Sequence, residues 1–128
     1  MIVIRTDLLK LIRLRGIAWF GFILFVTKDA PEYVVREEKI HGWQWFGMWM
    51  VAGFIMTLFY VFHWPIWIGL IVGYFSRWLW YVVEWAIKSA IAGSNQYANV
   101  SFEREAKALR HDPNYLDKMT IYSWMKYI

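Results

Sequence analysis

Between Gly42 and Ser76 this chain runs for 35 residues without one Asp, Glu, Lys or Arg, and from His41 to Lys88 only Arg77 and Glu84 carry a full charge. A hydrocarbon slab ~30 Å thick takes about 20 helical residues, so the stretch is long enough for more than one crossing. The apolar fraction, 59%, points the same way, since soluble domains hold about 45–50%. Ten Trp, nine Phe and eight Tyr supply the excess. The expectation is a mainly α integral membrane protein built on a transmembrane helical hairpin, embedded at about 46–62 and 64–80, with Pro65 opening the second arm. Trp43, Trp45 and Trp49, with Trp78, Trp80, Tyr81 and Trp85, would form one interfacial belt, and Tyr60, Trp64 and Trp67 the other. A helical pair packed against a partner without full spanning is the competing arrangement.

Charge and length bound the rest. The 128 residues make one domain, 1–128, divided into an N-terminal helix and strand region (1–31), a helix running into the hairpin (32–92) and polar C-terminal helices (93–128). The net charge of +4 comes from basic residues split between the two ends, seven in 1–41 and six in 88–128. That split suits two cytoplasmic termini with the lipid bilayer as partner. It leaves no dense basic stripe for nucleic acid. There is no cysteine, which removes disulfides and thiolate metal sites, and the N-terminus lacks the apolar core and cleavage site of a removed signal peptide.

Local patterns place the elements. Residues 5–15 read as a short amphipathic helix capped by Thr6 or Asp7, and 16–28, rich in aromatic and β-branched residues, as a strand or short hairpin. From about Glu32 the pattern is helical. Gly93 reads as a helix C-cap, Ser101 as the cap of a polar helix, and Asp112 with Pro113 as the start of a short terminal one.

The chemistry-bearing residues sit where the first long helix begins, in "EEKIH". Positions i and i+4 share a helical face, so Glu37 and His41 can reach one metal ion, and Glu38, one step round, can face a water molecule as general base. A mononuclear hydrolytic zinc site needs a third protein ligand. Glu103, early in the polar helix, is the candidate, with the small Ala106 one turn later allowing close approach. Two carboxylates and one imidazole would weaken the ion as a Lewis acid and shift preference from zinc towards other divalent ions such as manganese.

"EEKIH" followed by Gln44, an aromatic helix ending "WYVVEW", then "NVSFEREAKALRHDPNYL" and "WMKYI", with "RGIAWFGFILFVTK" upstream, resembles small membrane-associated proteins of the minigluzincin type. In these, His-Glu-x-x-His is followed by "FEREA", and the likeness covers the chain from about residue 15. The resemblance implies an α+β core and a zinc metallopeptidase site with its general base at Glu38 and ligands at His41 and Glu103. The family's first histidine falls on Glu37.

Each residue also has a plainer reading. Glu37 and Glu38 suit a helix N-terminus, Glu103 and Lys107 form an i,i+4 pair, and His111 suits a helix end. His63 belongs to the turn between the arms. Arg77 and Glu84, two turns apart, share a face, and a buried Glu84 can support the ligand residues. The favoured function is a degenerate metallopeptidase relative acting as a membrane-bound interaction or assembly component, with protein partners or a homo-oligomer. The alternatives are an active metal-dependent peptidase and a holin-like permeabilising protein.

Overall fold

The computed structural model describes residues 1–19, 21–60 and 65–128. Three strands, β1 (Ile2–Arg5), β2 (Gly16–Trp19) and β3 (Ile23–Val26), precede the long helices α1 (Glu32–Tyr60) and α2 (Ile66–Ala92), and two short helices follow, α3 (Ser101–Leu109) and α4 (Tyr115–Lys118). Single 3-10 stretches lie at Asp7–Ile12, Tyr97–Asn99 and Ser123–Tyr127.

The apolar run 16–28 folds as a hairpin, and β3 becomes the central strand of the sheet, in the order β1-β3-β2. β1 pairs with it in parallel and β2 antiparallel, with Gly16 opposite Val26 and Trp19 opposite Ile23. Strand alternation explains which face is covered. Leu24 and Val26 are buried while Ile23 and Phe25 are only partly so, and Val26 packs with Ala30, Val34 and Val35 of the chain entering α1. The basic N-terminal segment is shorter in helix than its pattern suggests. It holds one 3-10 stretch, whose Thr6 hydroxyl accepts from Leu8 N–H at 3.3 Å, because Ile2–Arg5 is drawn out as a strand to pair with β3.

α1 and α2 form the long antiparallel pair, but no helix of the described residues is long and apolar enough to cross a membrane. That overturns the transmembrane hairpin at 46–62 and 64–80, and with it the integral membrane placement, the two cytoplasmic termini and the interfacial belts. At ~1.5 Å per residue both helices have the length; what they lack is sustained hydrophobicity. Their aliphatic residues are interrupted by Trp and Tyr, whose rings carry polar N–H and O–H groups, and by Gly, Ser, Thr and Gln. The two charges do not meet lipid either. Arg77 and Glu84 are buried against protein. The holin-like alternative relied on the same spans. The turn residues His63 and Trp64 lie outside the described residues.

A second apolar cluster joins α2 to the C-terminal segment through Tyr81, Val100, Phe102 and Trp124, with Met48 of α1 against it. Glu84 locks this junction. Its carboxylate accepts from Ser101 N–H at 2.8 Å and Ser101 Oγ at 2.6 Å, and pairs with Lys88 at 2.7 Å. Ser101 is therefore the first residue of α3, capped by a carboxylate from another helix, where its own hydroxyl was the expected cap. Gly93 ends α2 in the left-handed conformation, φ 63°.

Candidate metal centre

α1 places Glu37 and His41 one turn apart, and the first turn of α3 brings Glu103 to them. One ligand-capable atom from each lies within 4.8 Å of the others, so the three can hold a divalent ion. His41 and Glu103 are buried. Ala106 has no exposed surface, which fits the close packing of α3 on α1.

A residue between the two helices decides how His41 presents itself. The Gln44 amide nitrogen donates to the Phe102 carbonyl at 3.0 Å and to the Glu105 carboxylate at 2.7 Å. Both are pure acceptors, so the amide cannot be turned over, and its oxygen must face His41 Nδ1 at 2.8 Å. Nδ1 then carries the ring proton, an assignment that follows from the network. The Arg77 guanidinium also approaches Nδ1, at 3.3 Å, but the shorter contact to an acceptor outweighs a second donor further off. His41 Nε2 is left with its lone pair directed at Glu103 Oε1, 3.7 Å away. Burial lowers the imidazole pKa, against the opposing pull of Glu103. Two electron-rich atoms, one on a neutral ring, thus face each other in a buried site, and a cation between them satisfies both. This donor set fits a divalent ion.

The third ligand is less free. Glu37 Oε2 accepts from Arg110 at 2.9 Å, and Arg110 is in turn held over the Tyr33 ring. Glu38, beside it, is pressed against β2. A Cβ at Gly16 would stand 2.5 Å from Glu38 Oε1, so only glycine there leaves room for the carboxyl. Burial, then the neighbouring Glu37 and Glu103 carboxylates, push its pKa up to about 8, while Arg77 and a hydrogen bond from the Ala18 backbone oppose the rise. A carboxylate with its pKa near neutrality suits general base work.

These residues line a cavity of about 570 Å³, bounded by β2, the start of α1, Arg77, Trp78 and Tyr81 of α2, Tyr97, Glu103 and Arg110. The Tyr81 and Tyr97 hydroxyls approach Glu103 Oε1 at 3.4 and 3.5 Å. Burial raises both phenol pKa values, so both remain donors at neutral pH. Arg77 is boxed by the rings of Trp45, Trp78 and Phe102, its Cζ 5.3–5.8 Å from their centroids. Burial lowers its pKa to about 10, leaving it charged at pH 7.

The β2 edge completes one wall. Thr27 N–H donates to the Arg15 carbonyl at 2.9 Å, and with Gly16 opposite Val26 the alternation of an antiparallel ladder makes Ile17 and Trp19 the bonded positions. Gly16 and Ala18 therefore turn their backbone groups away from β3, towards the cavity.

Of the residues singled out from the sequence, Glu37, Glu38, His41, Arg77 and Glu103 converge on this cavity, while Glu84 holds the neighbouring junction. His111 stays outside, accepting from Arg110 Nε at 3.2 Å and lying against the Tyr33 ring, and His63 is not among the described residues. Sequence reading gave no site role to Gln44, Glu105, Tyr81, Tyr97, Arg110 or Gly16. Gln44 alone had a legible signal, sitting three residues after His41 on the same helical face. Comparison with protein-family models, with curated proteins and with solved structures finds no match.

Proposed function

We propose that the protein is a metal-dependent hydrolase acting on peptide bonds, with Glu37, His41 and Glu103 holding zinc or manganese. One observation carries the reading. Gln44 fixes the tautomer that directs the bare Nε2 of His41 at the Glu103 carboxylate. A bound divalent ion would supply Lewis-acid polarisation of the scissile carbonyl and of water. Everything else falls to the chain. The backbone groups of Gly16 and the carbonyl of Ala18, whose N–H serves Glu38, pair with an extended substrate laid along β2. Glu38, over that strand, takes a proton from the attacking water on its carboxylate and returns it to the leaving amine. The Tyr81 and Tyr97 hydroxyls donate to the oxygen that gains negative charge. The likeness to minigluzincins in "EEKIH" and "FEREA" supports the same assignment.

The second reading keeps the architecture without the chemistry. It is favoured by the Arg110–Glu37 pair, which satisfies Glu37 with no ion at all. Metal analysis of purified protein separates the two. The hydrolase reading expects one divalent ion per chain, lost in His41→Ala and Glu103→Ala, together with cleavage of an unstructured peptide that Glu38→Gln abolishes. Stoichiometric metal with no Glu38-dependent cleavage would leave the second reading standing, and no metal would end the first.

A further inference from the structure

We infer that the α2 wall of the cavity is a carboxylate-binding subsite built on Arg77, and that the favoured substrate is a peptide carrying a carboxylate next to the scissile bond. The inference rests on the metal-centre reading and names the substrate class for it.

Among the described residues the guanidinium is the one buried cation of the cavity with no carboxylate paired to it. Its polar contact is to His41 Nδ1, itself a donor, and its buried Nε has no hydrogen-bond partner among the described residues. Packing holds it there, between the rings of Trp45, Trp78 and Phe102. A buried, charged donor left unsatisfied is costly unless something completes it, and Arg77 lines the cavity. Two further donors stand beside it on the same wall. The Tyr81 and Tyr97 hydroxyls contact one oxygen of Glu103 at 3.4 and 3.5 Å and also interact with each other. One of the two can turn to a ligand carboxylate oxygen at ordinary hydrogen-bond distance while the other serves the developing oxyanion.

Charge balance points the same way. Glu37 and Glu103 together cancel a divalent ion, and what remains around the cavity is Arg15, Arg77 and Arg110 against Glu38. Such a cavity has an excess of positive charge that an anionic group offsets. A carboxylate is the anion whose two oxygens match a planar guanidinium. It can come from a peptide C-terminus or from an Asp or Glu side chain.

The test measures binding, on metal-loaded Glu38→Gln protein so that no turnover intervenes. Calorimetric titration compares three capped peptides of one sequence: one with a free C-terminal carboxylate, one with a C-terminal amide, and one amidated but with Glu in place of a neutral side chain. The expected result is that one or both carboxylate peptides bind about 10- to 100-fold more tightly than the neutral amide. Which of the two does so tells a chain terminus from a side chain. In Arg77→Met on the same background the preference falls to about twofold or less, and Arg77→Lys, which keeps the charge without the fork, retains part of it. Equal binding of all three peptides overturns the subsite while leaving the metal centre intact. So does a preference that survives Arg77→Met, because the carboxylate would then be held by the ion alone. If Arg77→Met does not fold, an undiminished preference in Arg77→Lys counts against the guanidinium geometry. Failure to take up metal at the outset overturns both readings, and metal analysis registers it separately.

Discussion

Gln44 decides more about this site than its distance from the ligand-to-ligand gap suggests. It makes three hydrogen bonds, to His41, Phe102 and Glu105, and only one orientation satisfies all three. Glu105 is fully buried and is itself held by the Tyr115 hydroxyl, so the amide is anchored from behind. Partners of this kind that orient a metal-bound histidine are worth about 10–100-fold in metal affinity when removed. Gln44→Leu should therefore weaken zinc or manganese binding by roughly that factor while circular dichroism stays native. Unchanged affinity would show that the Gln44 hydrogen bond does not govern how His41 presents Nε2 to an ion. Of the ligand residues, Glu37 and His41 were legible in the sequence because their relation is local, one helical turn. Gln44 has the same local relation to His41, yet its role was not legible. Its partners Phe102 and Glu105 lie about sixty positions away in the chain.

Glu84 shows what one buried side chain does for the placement of a whole helix. It tethers Ser101, the first residue of α3, and Glu103 follows two positions later, so the third ligand is positioned from α2. Burial raises the carboxyl pKa, but hydrogen bonds from Lys88 and Ser101 outweigh it and the net shift is downward from 4.5. The sign follows from linkage: a group whose folded pKa is depressed stabilises the fold above its ordinary pKa, and the contribution disappears as pH falls through the lowered value. Urea unfolding at neutral pH should therefore place Glu84→Gln below the parent by about 1–3 kcal/mol, and the gap should narrow steadily below pH ~4 as the parent carboxyl takes up its proton. A gap that is constant with pH would remove the charge from the explanation. The elements themselves were partly legible. The strand-forming run at 16–28 and the helix from Glu32 follow from side-chain type and period. That β1 would pair with β3 was not, since "MIVIR" is too short and its pairing partner too far along the chain for any periodicity to reveal it.

The molecule as a whole is joined across its long helical pair by the candidate ligands. Glu37 and His41 belong to the part of α1 packed near the sheet, and Glu103 to the C-terminal segment that is otherwise held by the cluster around Phe102 and Trp124. An ion bound there ties together regions that have to separate on unfolding. By mass action, a ligand at about 100 times its Kd stabilises the folded state by about 2.7 kcal/mol, which for a chain of this size raises the Tm by roughly 10 °C. Scanning calorimetry with and without zinc or manganese should show that rise in the parent, its reversal by chelator, and its absence in Glu103→Ala. An equal rise in Glu103→Ala would place the ion elsewhere.

Composition and spacing were sufficient for what depends on neighbours along the chain. They specify a helix that starts near Glu32, the shared face of Glu37 and His41, Glu38 one step round, and the stop at Gly93. Only the tertiary structure decided what depends on contacts across it. An uncharged, tryptophan-rich run looks like a membrane span when its residues are counted, yet whether Arg77 and Glu84 meet lipid or protein depends on what packs against them. Here Arg77 meets His41 and three aromatic rings, and Glu84 meets Ser101 and Lys88. The same holds for the tautomer of His41, the arrival of Glu103 and the opening of the β2 edge to the cavity. Each is a matter of desolvation and hydrogen-bond satisfaction in three dimensions, which no periodicity along the chain encodes.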